Sequence, residues 1–299
     1  MGIGYRIKQK VKYHFAASDF EKRVAEINRN SEVIQVNGQS FQVKGCHLNF
    51  NVTKHGFLTE RIDDFLFLIR KKGSFSIKDS FLIFSHNSLS LRVLTAEELF
   101  IIKEIYFDTC YAFDSGTSYN VIDIGMNVGF ASLYFAQNTY VQKVWSFEPF
   151  KKTFQDAEFN FKLNEMISEK IVRNNFGLGN ANKSVQVGFN ETLKGKNSIL
   201  SNGAELPTEK IEIRDASAEI TSIVDRIPDQ SFFIKMDCEG AEFEIFETFA
   251  SQQIPKNIVG FVIEWHEKNP KPIVKILLQN GFKIQSRGTG IIGILTAIR

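Results

Sequence analysis

From Val121 onward, short apolar runs alternate with stretches of helical spacing, and this alternation restricts the fold more than any other feature of the chain. Repeated strand–helix–strand units bury both faces of their strands by laying them parallel in one sheet, with the crossover helices covering its two sides. The apolar runs predict strands over 120–124, 143–148, 170–174, 231–237, 258–265, 283–286 and 291–297. Helical spacing predicts crossovers over 128–139, 153–164, 241–249 and 272–279, the last closed by Asn280 and Gly281. The stretch 209–220 carries both signals: Ile211 and Ile213 alternate like a strand, and the residues after them suit a helix. The expected architecture is an α/β fold with seven strands in a mostly parallel sheet.

Ahead of this pattern the texture differs. A helical opening over 5–27 is broken by turn-forming residues at 28–31. Short strand-like segments then follow over 33–36, 40–43, 47–52, 65–70 and 81–84. Helical spacing returns over 94–107, with Leu99, Ile102 and Tyr106 on one face and Thr95 placed as an N-cap three residues before Glu98. The chain therefore divides, on expectation, into a β-containing extension over 1–93 and an α/β domain over 94–299.

Composition narrows the function classes. Thirty-six basic against 34 acidic residues leave a formal charge of +2, too small a field to gather nucleic acid or an anionic membrane. The cluster Arg6, Lys8, Lys10 and Lys12 reads as a solvated helix face. No apolar run approaches the roughly 18–20 residues of a membrane span, and the start lacks the apolar core of a signal peptide. Cys46, Cys110 and Cys238 have no CxxC spacing and read as free thiols, so a cytoplasmic location is expected. Nothing in the sequence sets an oligomeric state.

The run Val121-Ile122-Asp123-Ile124-Gly125-Met126-Asn127-Val128-Gly129 delivers an acid and two glycines to a strand-to-helix turn. In open α/β sheets, ligands bind at such carboxyl-end turns. A dinucleotide site wants GxGxxG, whereas Asn127 and Phe130 stand where its second and third glycines would be, and no GxxxxGK[ST] occurs at the turn. These departures weigh against NAD and exclude a P-loop. A nucleoside ligand without phosphates remains, and S-adenosylmethionine is the common one. The next strand ends in Glu148 before Pro149, one strand–helix–strand unit later, where a carboxylate accepts hydrogen bonds from both ribose hydroxyls. Asp123, Gly125, Asn127, Gly129 and Glu148, together with Asp237 further along the chain, are the expected cofactor contacts.

A third constellation, Lys235-Met236-Asp237-Cys238-Glu239-Gly240-Ala241-Glu242, ends an apolar strand in three carboxylates and a lysine. The next strand adds Glu264 and His266 to the same edge if the two are neighbours. Methyl transfer to an alcohol needs in-line geometry and removal of the hydroxyl proton. His266 is one candidate base, and Asp237 or Glu239 is another. Asp237, Glu239, Glu264 and His266 also suit a hard divalent cation such as magnesium, a reading ranked below proton transfer. Zinc ranks lower still, since no Cys/His set has structural-site spacing.

Taken together, Asp123-x-Gly125-x-Asn127-x-Gly129, Phe147-Glu148-Pro149 with Asn160 and Asn164, Lys235-x-Asp237-x-Glu239-Gly240-x-Glu242 and Glu264-x-His266 resemble the FkbM-type S-adenosylmethionine-dependent methyltransferases. The resemblance spans about residues 95–287 and includes the stretch 174–179 after the third strand. It implies a Rossmann-like class I sheet of seven strands whose last is antiparallel, and O-methylation of a hydroxyl on a saccharide or other small metabolite. It places Asp123, Gly125 and Glu148 at the cofactor and Asp237 near the methyl group, with Met126 where the family commonly has a small residue. Residues 1–93 lie outside the pattern. The competing reading is a binding or regulatory protein that keeps the S-adenosylmethionine pocket without turnover.

Overall fold

The computed structural model describes residues 19–29, 32–188, 208–250 and 253–299. Two compact units divide the chain, Met1–Phe107 and Asp108–Arg299. The basic cluster at Arg6–Lys12 and the first part of the expected opening helix lie outside the described residues.

The first unit begins with helix α1 over 19–27. Strands β1 (Ile34–Asn37), β2 (Ser40–Val43) and β3 (Phe50–Asn51) make one small antiparallel sheet. Helix α2 (Val52–His55) follows at once, because the Asn51 side chain accepts from the Lys54 amide and caps it. A 3-10 turn, Gly56–Arg61, leads to helix α3 (Ile62–Arg70). The strand expected over 65–70 is therefore a helix. Its run of Phe, Leu and Ile favours strands in isolation, but Ile62, Phe65 and Leu68 are buried at helical spacing, with Asp63 and Asp64 in the first turn and Arg70 in the last. Strands β4 (Ser74–Lys78), β5 (Phe81–His86) and β6 (Leu89–Val93) form a second antiparallel sheet, of which only the middle strand was anticipated.

Helix α4 (Ala96–Tyr106) carries the expected capping box between Thr95 and Glu98. It packs on the 3-10 turn and α3, so it belongs to the first unit, and the division falls at 107/108 where 93/94 was expected.

The second unit contains β7 (Tyr119–Ile124), α5 (Phe130–Ala136), β8 (Val141–Phe147), α6 (Lys151–Leu163), α7 (Glu165–Ser168), β9 (Ile171–Asn174), β10 (Gly177–Gly179) and β11 (Lys183–Gly188). It continues with β12 (Thr208–Asp215), α8 (Ala216–Asp225), β13 (Ser231–Met236), α9 (Glu242–Ala250), β14 (Ile258–Trp265), α10 (Lys271–Gln279), β15 (Lys283–Gly288) and β16 (Gly293–Ile298). Seven strands form one sheet in the order β15-β16-β14-β13-β7-β8-β9. Neighbours from β14 through β9 run parallel, and β16 is antiparallel to both β14 and β15.

All seven anticipated strands are present, each within a few residues of its expected bounds. Their apolar side chains fill the core on both faces, with Ile122, Phe147, Phe232, Ile234, Met236, Phe261 and Ile263 buried on one and Val121, Val144, Phe233 and Val262 buried on the other. The ambiguous 209–220 stretch resolves into both of its signals, strand β12 and then helix α8 capped by the Asp215 side chain. A small side sheet, β10-β12-β11, was not anticipated. Strand order reverses between β7 and β13, and their carboxyl ends open the crevice where ligands bind in this architecture.

Candidate active site

The site starts from strand register. Lys235 on β13 stands directly opposite Asp123 on β7, which stands opposite Ser146 on β8, so the three lie in one row across the sheet. The Lys235 ammonium lies 3.2 Å from Asp123 Oδ1 and donates to the Gly125 carbonyl at 2.7 Å. Ser132 on α5 donates to Asp123 Oδ2 at 2.5 Å and sits 2.8 Å from the Ser146 hydroxyl. Asp123 is fully buried. It is tied to the turn above it through Lys235 and has no face on solvent. Burial alone would lower the Lys235 pKa, but Asp123 and Asp237 outweigh it and hold the ammonium above its ordinary value.

The turn that follows β7 allows almost no side-chain bulk at one point. Gly125 has φ +83°, and a Cβ there would come within 1.7 Å of the Asp237 carbonyl oxygen. Asn127 also takes a left-handed conformation, φ 51°. The turn is sewn to the next strand by the Gly125 and Met126 amides, which donate to the Phe147 carbonyl at 3.1 and 2.9 Å. Gly129 caps α5, and Asn160 on α6 donates to the Val128 carbonyl at 2.9 Å. Met126 is buried, so the departure from the family pattern is absorbed inside the protein.

Glu148 reaches this turn. Its Oε2 accepts from the Asn127 amide at 3.0 Å and its Oε1 from the Phe150 amide at 2.9 Å. Burial pushes its pKa up to about 7, against the pull of those two amides.

Beyond β13 the carboxylates cluster. Asp237 Oδ2 accepts from the Tyr111 hydroxyl at 3.2 Å and lies 3.8 Å from the Lys235 ammonium. The Glu242 carboxylate is fully buried and accepts from the Cys238 and Gly240 amides at 2.9 and 2.8 Å, closing the turn in which Glu239 takes φ 53°. His266, leaving β14, faces three acids: Nδ1 is 3.4 Å from Glu242, and Nε2 is 3.6 Å from Glu264 and 3.8 Å from Glu239.

These neighbours decide protonation. Burial alone would lower the His266 pKa, yet the bonds to Glu242 and Glu264 and the charges of Asp237 and Glu239 raise it to about 11. A shift in that direction favours the imidazolium, the form without a lone pair for a hydroxyl proton. Burial, then repulsion from Asp237, pushes Glu239 up to about 8, so it too is largely protonated at pH 7. Burial and Glu264 raise Asp237 only to about 6, because Lys235 and His266 pull the other way. Asp237 is thus the expected base that is ionised near neutrality. Asp237, Glu239 and His266 also bring one ligand-type atom each within 4.8 Å of the others, a spacing in which a divalent cation could sit.

Sequence reasoning missed Tyr111, Ser132 and Ser146 and assigned no role to Lys235. The serines carry no motif, and Tyr111 lies in the irregular stretch before β7.

A family model described as the methyltransferase FkbM domain matches residues 123–284, more than half of the chain. The chain belongs to the FkbM methyltransferase family. The matched stretch begins at Asp123 and takes in the glycine turn, Glu148, the acidic turn after β13 and His266, the same motifs that carried the resemblance in sequence. This methyltransferase is 25% identical over 218 residues to Methyltransferase sdnD of Sordaria araneosa, covering 63% of this chain and 83% of that one. It is 24% identical over 187 residues to Methyltransferase 1 of Beauveria bassiana, covering 56% and 72%. Among solved structures it is similar to the methyltransferase FkbM of Methylobacillus flagellatus KT, with TM-score 0.43 and 15% identity over 80% of this chain and 59% of that one. The present chain thus spans less than two thirds of that protein's length. The fold is the Rossmann-like class I methyltransferase architecture. Among the described residues, no helix is long and apolar enough to cross a membrane.

Proposed function

We propose that this methyltransferase binds S-adenosylmethionine across the Gly125–Gly129 turn and Glu148, and methylates a hydroxyl of a saccharide or other small metabolite with Asp237 as proton acceptor. The observation that carries the reading is the 3.0 Å bond between the Asn127 amide and Glu148, which puts a ribose-type acceptor and a glycine turn at one point of the sheet edge. The turn also suits a ligand in a second way. Asn127 Oδ1 is buried and has no hydrogen-bond partner among the described residues, a cost that a bound donor would remove. Glu148 would hold the ribose hydroxyls, and the backbone of Gly125 to Asn127 would lie against the nucleoside.

S-adenosylmethionine, when bound, supplies an electrophilic methyl group on sulfur, whose departure leaves the bonding electron pair on that sulfur. The chain's own part is to place the acceptor and take its proton. Asp237 is 28% exposed, stands beside the turn and is ionised near neutral pH, so it can take the hydroxyl proton as the new carbon–oxygen bond forms. The His266 imidazolium offsets the charge of the acids around it.

Isothermal calorimetry with S-adenosylhomocysteine, followed by methyl transfer to a panel of saccharides and small alcohols, tests the reading. Binding with no product from any acceptor would favour the non-catalytic alternative. Glu148→Ala should weaken cofactor binding by about 1–3 kcal/mol, since the ribose hydroxyls lose their acceptor. An unchanged dissociation constant takes Glu148 out of the site.

Binding should also depend on pH in a defined direction. The carboxylate form is the double acceptor, and it becomes the major form only as pH rises through about 7. Affinity for S-adenosylhomocysteine should therefore climb through that value and level off above it. The same titration of Glu148→Gln should lose the step; a step of wild-type size in the variant assigns it to another group.

A further inference from the structure

We infer that Tyr111 is a positioning residue for proton transfer: its hydroxyl, together with the Lys235 ammonium, holds the Asp237 carboxylate by Oδ2 and leaves Oδ1 to face the acceptor. The inference rests on the methyl-transfer reading above.

Both contacts to Asp237 fall on the same oxygen, the Tyr111 hydroxyl at 3.2 Å and the Lys235 ammonium at 3.8 Å. The torsion that turns an Asp carboxylate is soft and roughly two-fold, so a carboxylate without a fixed donor swings between its oxygens. Charged neighbours surround this one. Lys235 lies beneath it on β13, Glu264 and His266 come from the end of β14, Glu239 from the turn after β13 and Glu242 from α9. Three of these five are acids, and their repulsion gives the carboxylate no reason to keep one orientation. Tyr111, on the stretch before β7, supplies that reason as a hydrogen-bond donor.

Tyr111 is itself rigidly placed. It is buried, its ring stacks on Phe135 with centroids 6.4 Å apart and planes at 19°, and the Lys235 ammonium lies 5.5 Å from its ring centroid. Two residues on, Phe113 stacks on Phe233 of β13 at 4.1 Å and anchors the same stretch to the sheet. Burial, then the charge of Asp237, pushes the phenol well above its ordinary pKa, so the hydroxyl remains a donor throughout the working range. A small rotation of a reacting group costs up to about 10²-fold in rate, so one hydroxyl that fixes a carboxylate plane has a measurable effect.

Tyr111→Phe removes the hydroxyl and keeps the ring packing. We expect kcat to fall by about tenfold with little change in the acceptor KM or in affinity for S-adenosylhomocysteine, the pattern of a contact that matters only in the transition state. In an Asp237→Asn background the same substitution should cost nothing further, because the group through which Tyr111 acts has lost its basicity. An equal loss in both backgrounds, or no loss in either, overturns the proposal.

A second measurement needs no turnover and no substitution at Tyr111. The hydroxyl proton of a buried, hydrogen-bonded tyrosine is observable by proton NMR, and its resonance should move upfield in Asp237→Asn as the acceptor weakens. A resonance that stays in place overturns the proposal even if Tyr111→Phe fails to fold. A shift in Asp237→Asn together with a wild-type protein that methylates nothing counts against the methyl-transfer reading alone and leaves the Tyr111–Asp237 bond standing.

Discussion

Asp237→Asn is expected to lower kcat for methyl transfer by about 10²–10⁴-fold, the usual contribution of a positioned general base, while affinity for S-adenosylhomocysteine stays close to wild type. The amide has nearly the shape of the carboxylate, and its oxygen can still accept from the Tyr111 hydroxyl 3.2 Å away, so the site keeps its geometry. What it loses is the capacity to take up the hydroxyl proton. Rapid-quench measurement of the methylated product separates this from a binding defect, because a lost transition-state contact lowers kcat and kcat/KM together. An Asp237→Asn enzyme that turns over at the wild-type rate would take Asp237 out of the chemistry.

Lys235→Met is expected to destabilise the protein by about 3–5 kcal/mol, the range found when one partner of a buried ion pair is removed. The ammonium is buried, and it pairs with a carboxylate, Asp123, that has no exposure at all. Methionine fills much of the volume but leaves that carboxylate without its cation and the Gly125 carbonyl without its 2.7 Å donor.

The pH dependence of this effect follows from the direction of the Lys235 shift. Its folded pKa is raised, so its contribution is complete below the ordinary lysine value near 10.4 and is lost only as pH rises through the higher folded value. Urea unfolding at about pH 8 and about pH 9, above the Asp237 and Glu148 values that Lys235 also holds down, should therefore show the same loss. The double variant Asp123→Asn with Lys235→Met should recover part of it, since the stranded charge is gone. A loss below about 1 kcal/mol in the single variant would mean that the pair contributes no more than an exposed one.

The pair also joins the two halves of the site. Lys235 bonds the carbonyl of the cofactor turn and stands 3.8 Å from Asp237, and Gly125 leaves no space for a Cβ against the Asp237 carbonyl. The turn expected to hold the nucleoside and the acid expected to take the proton are therefore parts of one packed unit, placed by the register of β7 against β13.

Much of this was legible in the sequence, for a reason particular to parallel sheets. Every strand of such a sheet presents its carboxyl end to the same edge, so polar residues that close apolar runs must meet there. Asp123, Glu148, Asp237 and the pair Glu264 and His266 could be assigned to one edge before any contact was known. The strands themselves were legible because both faces are buried and each run is continuously apolar.

Local pattern failed where burial decided. Residues 65–70 are rich in strand formers, yet a buried face of Ile62, Phe65 and Leu68 makes them helical. The side sheet went unseen because β10 is only three residues long and finds its partner in β12, beyond β11 in the chain.

By itself the sequence determined the alternation of elements, the edge on which the chemistry collects and the family, because periodicity and motif spacing are properties of neighbouring residues. Only the tertiary structure decided which charges pair and which groups hold protons. Lys235 meets Asp123 across 112 positions of chain, and the His266 pKa is raised because acids from separate elements close around it. Electrostatic energy depends on distance and burial in space, and neither is written in the order of residues.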